Sequence, residues 1–321
     1  MPTAEYAAMY YKKFGVKAYH DHDFYGQSTS IYIIDMGLTN TEESLRNVKT
    51  RTLINPMGRR NTHGSFVASI IGKMGSYAPN GDVPGIAPDA QIYLADVSDS
   101  QGAIYTSTLI KAIQDAIDLR VDIISISLGT DVYDQRLENV VNDAAKKNIL
   151  VFAAAGNCNC RTYEFPAACE SAISVASMDS NRRLSVFNTR NDAVAVFAPG
   201  QNIKVPGSSR LSGTSFAVPF ASGLAALELS RRRAILPCAT IYFEKSKWET
   251  GFLSYFFFFP KSHTCSRNTE KTTTRCDGQM TSCRQVGREN TNNTLMAVGK
   301  AEEQQSRNTS VSHQGSTLSD G

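Results

Sequence analysis

Apolar and polar residues alternate between two patterns over the first 235 residues. Short runs rich in β-branched residues are followed by longer stretches in which apolar residues recur at helical spacing, as between Leu109 and Ile117. This alternation is typical of β-α-β units. The predicted strands are Ile31–Asp35, Gln91–Val97, Asp122–Ser127, Ile149–Ala154, Ala172–Ser177 and Ala193–Ala198. Several are apolar throughout, which indicates burial on both faces, so we predict an α/β fold with a parallel β-sheet flanked by helices.

The composition of the chain changes near Ile235. From Lys261 to Gly321 aliphatic residues are few, and apolar residues show no sustained period. Such a segment cannot bury enough apolar surface to offset the entropy lost on ordering. We therefore predict one folded domain over residues 1–235 and a divergent, largely disordered C-terminal tail over residues 236–321.

Composition and charge are those of an ordinary globular protein. Hydrophobic residues make up 41% of the 321 residues, and 33 Lys and Arg against 30 Asp and Glu leave a net charge of +3. This balance gives no indication of nucleic acid as a partner. The longest strongly apolar run, Phe252 to Phe259, is far shorter than the ~18 residues of a membrane span. The N-terminal segment has no apolar stretch typical of a secretory signal.

Polar residues directly follow or end three of the predicted strands. Asp35 ends the first strand, Ser127-Leu128-Gly129 ends and follows the third, and Gly156-Asn157 follows the fourth. Ligands of open parallel sheets bind beyond the carboxyl ends of the strands, so these residues are candidates for a functional site. Taken alone, each is better explained as the start of a turn, because Asp, Asn and Gly favour turns.

His63 and Ser215 carry the chemistry of a base and a nucleophile. His63 begins a predicted helix, where a single histidine is more often structural than catalytic. Ser215 precedes Pro219, and because proline is tolerated in the first turn of a helix, we expect this helix to begin at about Thr214 or Ser215. The Ser215 hydroxyl and N–H then lie at the positive end of the helix, which stabilises an oxyanion. Serine needs an adjacent base and a group that orients the base, and His63 and Asp35 are available.

Together these residues and their neighbours resemble the motifs of the subtilisin-like serine protease family. After Asp35, the chain contains His-Gly-Ser-x-Val-Ala at His63–Ala68, Ala-Ala-Gly-Asn at Ala154–Asn157 and Gly-Thr-Ser-x-Ala-x-Pro at Gly213–Pro219. The resemblance covers residues 19 to 231. It implies a subtilisin-like peptidase domain and a serine endopeptidase that hydrolyses peptide bonds through an Asp-His-Ser triad and an acyl-enzyme.

The resemblance also implies a role for each catalytic residue. Asp35 would hold the imidazole of His63 in the correct tautomer, and His63 would deprotonate Ser215. Ser215 would then attack the peptide carbonyl. Asn157 would donate its side-chain amide to the oxyanion, beside the backbone N–H of Ser215.

Substrate binding is implied for two further segments. Ser127, Leu128 and Gly129 would pair with the backbone of an extended peptide. Glu164 precedes the aromatic-proline step Phe165-Pro166 and would lie at the base of the S1 pocket, which receives the P1 side chain. The alternative is an alignment shifted by one residue, with Glu164 on the solvated surface.

Some residues depart from the family pattern. Phe216 stands where methionine is common, Ser65-Phe66 stands where Thr-His is usual, and the sequence after Arg231 is unfamiliar. A pro-segment is not visible in the chain. The alternative function is therefore a catalytically inactive relative that binds peptides, or a truncated fragment.

The resemblance implies no cofactor for the chemistry and a monomer acting on peptide or protein substrates. Structural calcium is frequent in the family, but we match no acidic loop to a calcium site and predict no metal ligands. Seven cysteines leave at least one without a partner in the chain. A Cys160–Cys169 bridge is one candidate pairing. The compartment is undetermined from the residues, although the resemblance favours secretion.

Overall fold

The computed structural model describes residues 11–38, 43–53, 62–75, 77, 83–99, 101–205, 208 and 210–235, and the two strands Thr274–Cys276 and Gln279–Thr281. Contacts divide the chain into two units, residues 1–263 and 264–321. In the first unit the strands are β1 Ser30–Asp35, β2 Val48–Thr52, β3 Gln91–Asp96, β4 Ile123–Ile126, β5 Leu150–Ala154, β6 Ile173–Met178 and β7 Val194–Pro199. Its helices are α1 Val16–His20, α2 His63–Gly72, α3 Thr106–Asp118, α4 Gln135–Lys146 and α5 Thr214–Ile235, with a 3₁₀ turn at Glu43–Leu45.

The seven strands form one parallel sheet in the order β2-β3-β1-β4-β5-β6-β7. The chain places β2 and β3 on one side of β1 and then crosses to β4 on the other side. In open α/β sheets ligands bind where the strand order reverses in this way. The carboxyl ends of β1, β4 and β5 are adjacent here, and these strands precede the polar residues singled out in the sequence.

Alternate residues of β1 pack on opposite faces of the sheet. Ile31 and Ile33 lie in a core that also contains residues of α2 and α5, whereas Tyr32 and Ile34 lie in a core with residues of α3 and α4. All four side chains are fully buried. The continuous apolarity of the strand therefore reflects two helical layers, and the predicted fold class is confirmed.

Strand β2 was not predicted. Its sequence, Val-Lys-Thr-Arg-Thr, is mostly polar, and it pairs with β3 alone at the edge of the sheet. An edge strand is less buried than a central one, so it carries no long apolar run to reveal it.

In the second unit, Thr274–Cys276 and Gln279–Thr281 form an antiparallel pair, β8 and β9, inside the predicted disordered tail. The rest of that prediction falls outside the described residues, and the boundary after residue 235 stays a prediction. Among the helices that the structure describes, none combines the length and apolarity needed to cross a membrane.

Candidate active site

Asp35 and His63 form a hydrogen-bonded pair at the carboxyl end of β1. His63 Nδ1 lies 2.8 Å from Asp35 Oδ1, which also accepts a 2.7 Å bond from the Met36 N–H. Asp35 is fully buried, and its Oδ2 has no hydrogen-bond partner within the described part of the chain. Because a carboxylate only accepts, Nδ1 carries the proton, and Nε2 of the neutral imidazole is left as the basic nitrogen.

Gly64 allows α2 to begin close enough to β1 for this contact. A Cβ at Gly64 would lie 2.3 Å from the carbonyl oxygen of Gly37, in the turn after Asp35. No real Cβ approaches an oxygen so closely. The glycine after the histidine in the His-Gly motif therefore has a steric cause, which is the close packing of α2 on that turn.

The charge of Asp35 affects the pKa of His63. Burial by itself would lower the pKa of His63, but the hydrogen bond to Asp35 and the negative charge of that carboxylate act in the opposite direction. The net effect raises the pKa of His63 above its ordinary value of 6.5. The side chain is still 27% exposed, so it remains accessible from the solvent.

Ser215 is the second residue of α5, and the residue after it contacts the imidazole of His63. Helix α5 begins at Thr214, as the sequence predicts. The ring of Phe216 packs against the His63 ring with centroids 5.3 Å apart, which brings the first turn of α5 next to the imidazole. The phenylalanine that departs from the family pattern thus contacts the imidazole directly.

Pro219 lies deeper in α5 than the sequence predicts. It is the sixth residue of the helix, beyond the first turn. Proline has no N–H, so the carbonyl of Ser215, four residues earlier, cannot receive its normal helical bond. The Ser127 hydroxyl donates to that carbonyl instead, at 2.8 Å. This bond joins the segment after β4 to the residue that carries the candidate nucleophile.

Asn157 follows β5, and Thr214 fixes its orientation. The N–H and hydroxyl of Thr214 both donate to Asn157 Oδ1, at 2.9 and 3.2 Å. The same hydroxyl accepts the N–H of Gly156 at 3.2 Å. Because the amide oxygen is held by α5, the exposed Asn157 amide has its Nδ2 available as a donor. Thr214 is a site residue that sequence reasoning missed, although its place beside Ser215 was a signal.

The side chain of Glu164 lies between the segments after β4 and β5. A Cβ at Gly129 would lie 3.1 Å from Glu164 Oε2, and a Cβ at Gly156 would lie 2.5 Å from Glu164 Cγ. Two backbone hydrogen bonds, of 3.0 and 2.7 Å, join Thr130 to Phe165. They connect the segment after β4 to the segment that contains Glu164. Glu164 thus stands half-buried beside Gly129, and a side chain at position 156 would collide with it.

A second carboxylate faces the same region. The antiparallel bridge between Thr130 and Phe165 places Asp131 across from Glu164. Burial and then the charge of Asp131 raise the pKa of Glu164 above its ordinary value. The Glu164 carboxylate has no ion-pair partner among the described residues. Asp131 was also missed by sequence reasoning, because the bridge that brings it here pairs residues far apart in the chain.

The Cys160–Cys169 bridge considered from the sequence is wrong. Cys160 forms a disulfide with Cys158, with Cα atoms 5.1 Å apart, and Cys169 lies buried elsewhere in the core. Asn159 between the two cysteines has a φ of 53°, in the left-handed region, which lets the chain turn sharply enough for the bridge. The described part of the chain contains no group of three or more His, Cys, Asp or Glu side chains placed to hold a metal.

A hydrogen-bonded Asp–His pair packed against the first turn of a helix that carries a serine, on a parallel α/β sheet, resembles the arrangement found in serine hydrolases. The model of the subtilase family, peptidase S8, matches residues 26–242 of the chain. The chain therefore belongs to the subtilase family, and the predicted resemblance is confirmed.

Individual relatives agree with this assignment. The chain is 32% identical to subtilisin E of Bacillus subtilis over 227 residues, which is 67% of this chain and 58% of that protein. It is 37% identical over 173 residues to the minor extracellular protease Epr of the same species, covering 52% of this chain and 26% of Epr. The match to subtilisin E thus spans less than two thirds of its length.

Solved structures share the fold. The prenylagaramide maturation protease PagA superposes with a TM-score of 0.61 and 27% identity, covering 74% of this chain and 95% of PagA. The self-cleaved protease domain of PatA gives a TM-score of 0.57 and 30% identity, covering 65% of this chain and 82% of that chain.

Proposed function

We propose that this protein is a serine endopeptidase that cleaves peptide bonds through an acyl-enzyme. The observation that carries the proposal is the 2.8 Å bond between His63 Nδ1 and Asp35 Oδ1, with the imidazole packed against the turn of α5 that contains Ser215. The unprotonated Nε2 is then the base for the serine hydroxyl, which is weakly nucleophilic without one.

In the proposed reaction, Ser215 Oγ attacks the peptide carbonyl carbon while its proton passes to His63 Nε2. The oxyanion that forms accepts hydrogen bonds from Asn157 Nδ2 and from the Ser215 N–H, one of the first-turn N–H groups that lack an acceptor within the helix. The tetrahedral intermediate expels the amine, which takes the proton from His63. Water, deprotonated by His63, then hydrolyses the ester on Ser215 and completes the cycle.

We further propose that Ser127, Leu128 and Gly129 bind the substrate backbone as an added strand. Gly129 is exposed, and the half-buried Leu128 anchors the segment on the core. Glu164, beside Gly129 at the end of this segment, would receive the P1 side chain. Its half-buried carboxylate has no ion-pair partner within the described residues, and Asp131 adds a second negative charge, so the pocket favours Lys or Arg at P1.

The substrate is a peptide or protein, the enzyme acts as a monomer without nucleic acid, and no cofactor takes part in the chemistry; a structural calcium ion is left unassigned. Secretion is supported by relatives such as the extracellular protease Epr.

Labelling with a fluorophosphonate serine probe, together with casein cleavage, tests the proposal. We expect the purified protein to be labelled and active, and Ser215→Ala to lose both properties while remaining folded. Ser107→Ala, at an exposed serine of α3, is the matched control and should behave as the parent. A folded parent protein that neither reacts with the probe nor cleaves casein would favour the alternative, an inactive peptide-binding relative.

A further inference from the structure

The backbone carbonyl of Ser215 is held by a side chain from another element. In an α-helix this carbonyl would accept the N–H of residue 219, which here is proline and has none. The Ser127 hydroxyl donates to it at 2.8 Å. Ser127 is only 4% exposed, so water has little access to replace this bond.

The start of α5 is consequently attached to the ends of two neighbouring strands. Thr214 is bonded to Asn157 after β5, and Ser215 is bonded to Ser127 after β4. The two attachments lie on consecutive residues, one on an N–H and one on a carbonyl. They hold the backbone just before and just after the Ser215 Cα, and so the position from which its side chain projects.

We infer that the Ser127 hydroxyl is a positioning group for the nucleophile, and that Pro219 keeps the Ser215 carbonyl available to it. This inference rests on the proposed function of Ser215. Because Ser127 also belongs to the segment proposed to bind the substrate backbone, a peptide seated there is held in register with Ser215 Oγ through one hydrogen bond. Misplacement of a nucleophile by a fraction of an ångström is costly in rate.

A double-mutant cycle tests the inference. Ser127→Ala removes the donor and leaves a shielded carbonyl without a partner, so we expect the rate of fluorophosphonate labelling and kcat to fall about tenfold, with KM little changed. Pro219→Ala supplies an N–H that can bond to the same carbonyl. In that background, Ser127→Ala should cost less than about twofold, because the carbonyl no longer depends on Ser127.

Two controls separate positioning from a general structural effect. Ser127→Thr retains a hydroxyl donor and should recover most of the kcat lost in Ser127→Ala. If Ser127→Ala acted only through lost packing, Ser127→Thr would not restore kcat selectively. If Ser127→Ala fails to fold, Ser127→Cys replaces it, since a thiol is of similar size but donates weakly. Thermal unfolding of every variant confirms that folded proteins are compared.

The outcomes distinguish this inference from the proposed function. Additive effects of Ser127→Ala and Pro219→Ala on labelling rate would overturn the inference, as would an effect of Ser127→Ala on KM alone. A folded parent protein that the probe never labels would instead overturn the proposed function. In that case the proteins of the same cycle are compared by thermal unfolding. Non-additive effects of the two substitutions on stability support the dependence of both on the Ser215 carbonyl, and additive effects reject it.

Discussion

Replacing Glu164 with glycine should reverse the preference of the enzyme for the P1 side chain. The carboxylate stands between Gly129 and Gly156, where a P1 side chain would enter beside the proposed oxyanion site. Lys or Arg at P1 would form a charge-assisted hydrogen bond with it, whereas leucine would bury the carboxylate without a partner. We therefore expect the parent enzyme to prefer basic P1 residues, and Glu164→Gly to prefer large apolar ones.

The size of the change follows from the strength of that bond. Hydrogen bonds to charged groups contribute ~1.5–3 kcal/mol. Since each 1.4 kcal/mol is a factor of ten, the ratio of kcat/KM for P1 Lys over P1 Leu should fall by about 10- to 150-fold in Glu164→Gly. Glu164 is only half-buried, so water weakens the interaction and the lower end of this range is the better expectation.

The assay compares two fluorogenic peptides that differ only at P1, followed by a peptide library. Glu164→Gln keeps the size of the side chain and removes its charge, and Glu170→Gln changes an exposed glutamate on the surface as a matched control. The pKa of Glu164 is raised by burial and then by Asp131, so the preference for Lys should fade on acidification at a higher pH than an exposed glutamate would give. The same apolar P1 profile in the parent and in Glu164→Gly would refute the assignment.

Further expectations concern the catalytic groups themselves. Asn157→Ala should lower kcat by about 10²–10³ with little change in KM, because the Asn157 amide contacts an oxyanion that exists only in the transition state. An effect on KM alone in steady-state kinetics would contradict this role. His63→Ala should be about as damaging as Ser215→Ala in casein cleavage, since the pair acts as a unit, and nearly normal turnover by either variant would exclude the assignment. The base must be neutral, and its pKa is raised above 6.5, so kcat/KM should increase with pH through a midpoint above that value. A midpoint below 6.5 in the pH profile would mean that Asp35 does not dominate the environment of His63.

The central strands could be predicted from the sequence because they are buried on both faces. β1 has apolar residues on both faces, so its run stands out against the helices around it. β2 could not be found in this way, because Val48–Thr52 is an edge strand whose polar residues resemble a loop. The apolar pattern of a strand reflects how far its side chains are buried, so a strand that is little buried shows little of that pattern.

The candidate catalytic residues could be predicted from the sequence for a different reason. Asp35 and Asn157 interrupt buried runs with polar side chains at the edge where parallel strands present ligands, and the order of the motifs ties them to His63 and Ser215. The contacts that support these residues could not be predicted from the sequence. The position of Asp131 depends on a bridge between Thr130 and Phe165, and no local property of either segment encodes that register.

Pro219 shows how a local rule fails where another element compensates for its violation. The rule that proline belongs in the first turn rests on the cost of a missing N–H and an unpaired carbonyl. In α5 the carbonyl is that of Ser215, and Ser127 pairs with it from the segment after β4. The proline is therefore compatible with the sixth position because a partner 88 residues away in sequence completes the helix. A helix-breaking residue four positions after a candidate nucleophile is thus evidence for a donor from elsewhere, and the exposed end of the sheet is the place to look for it.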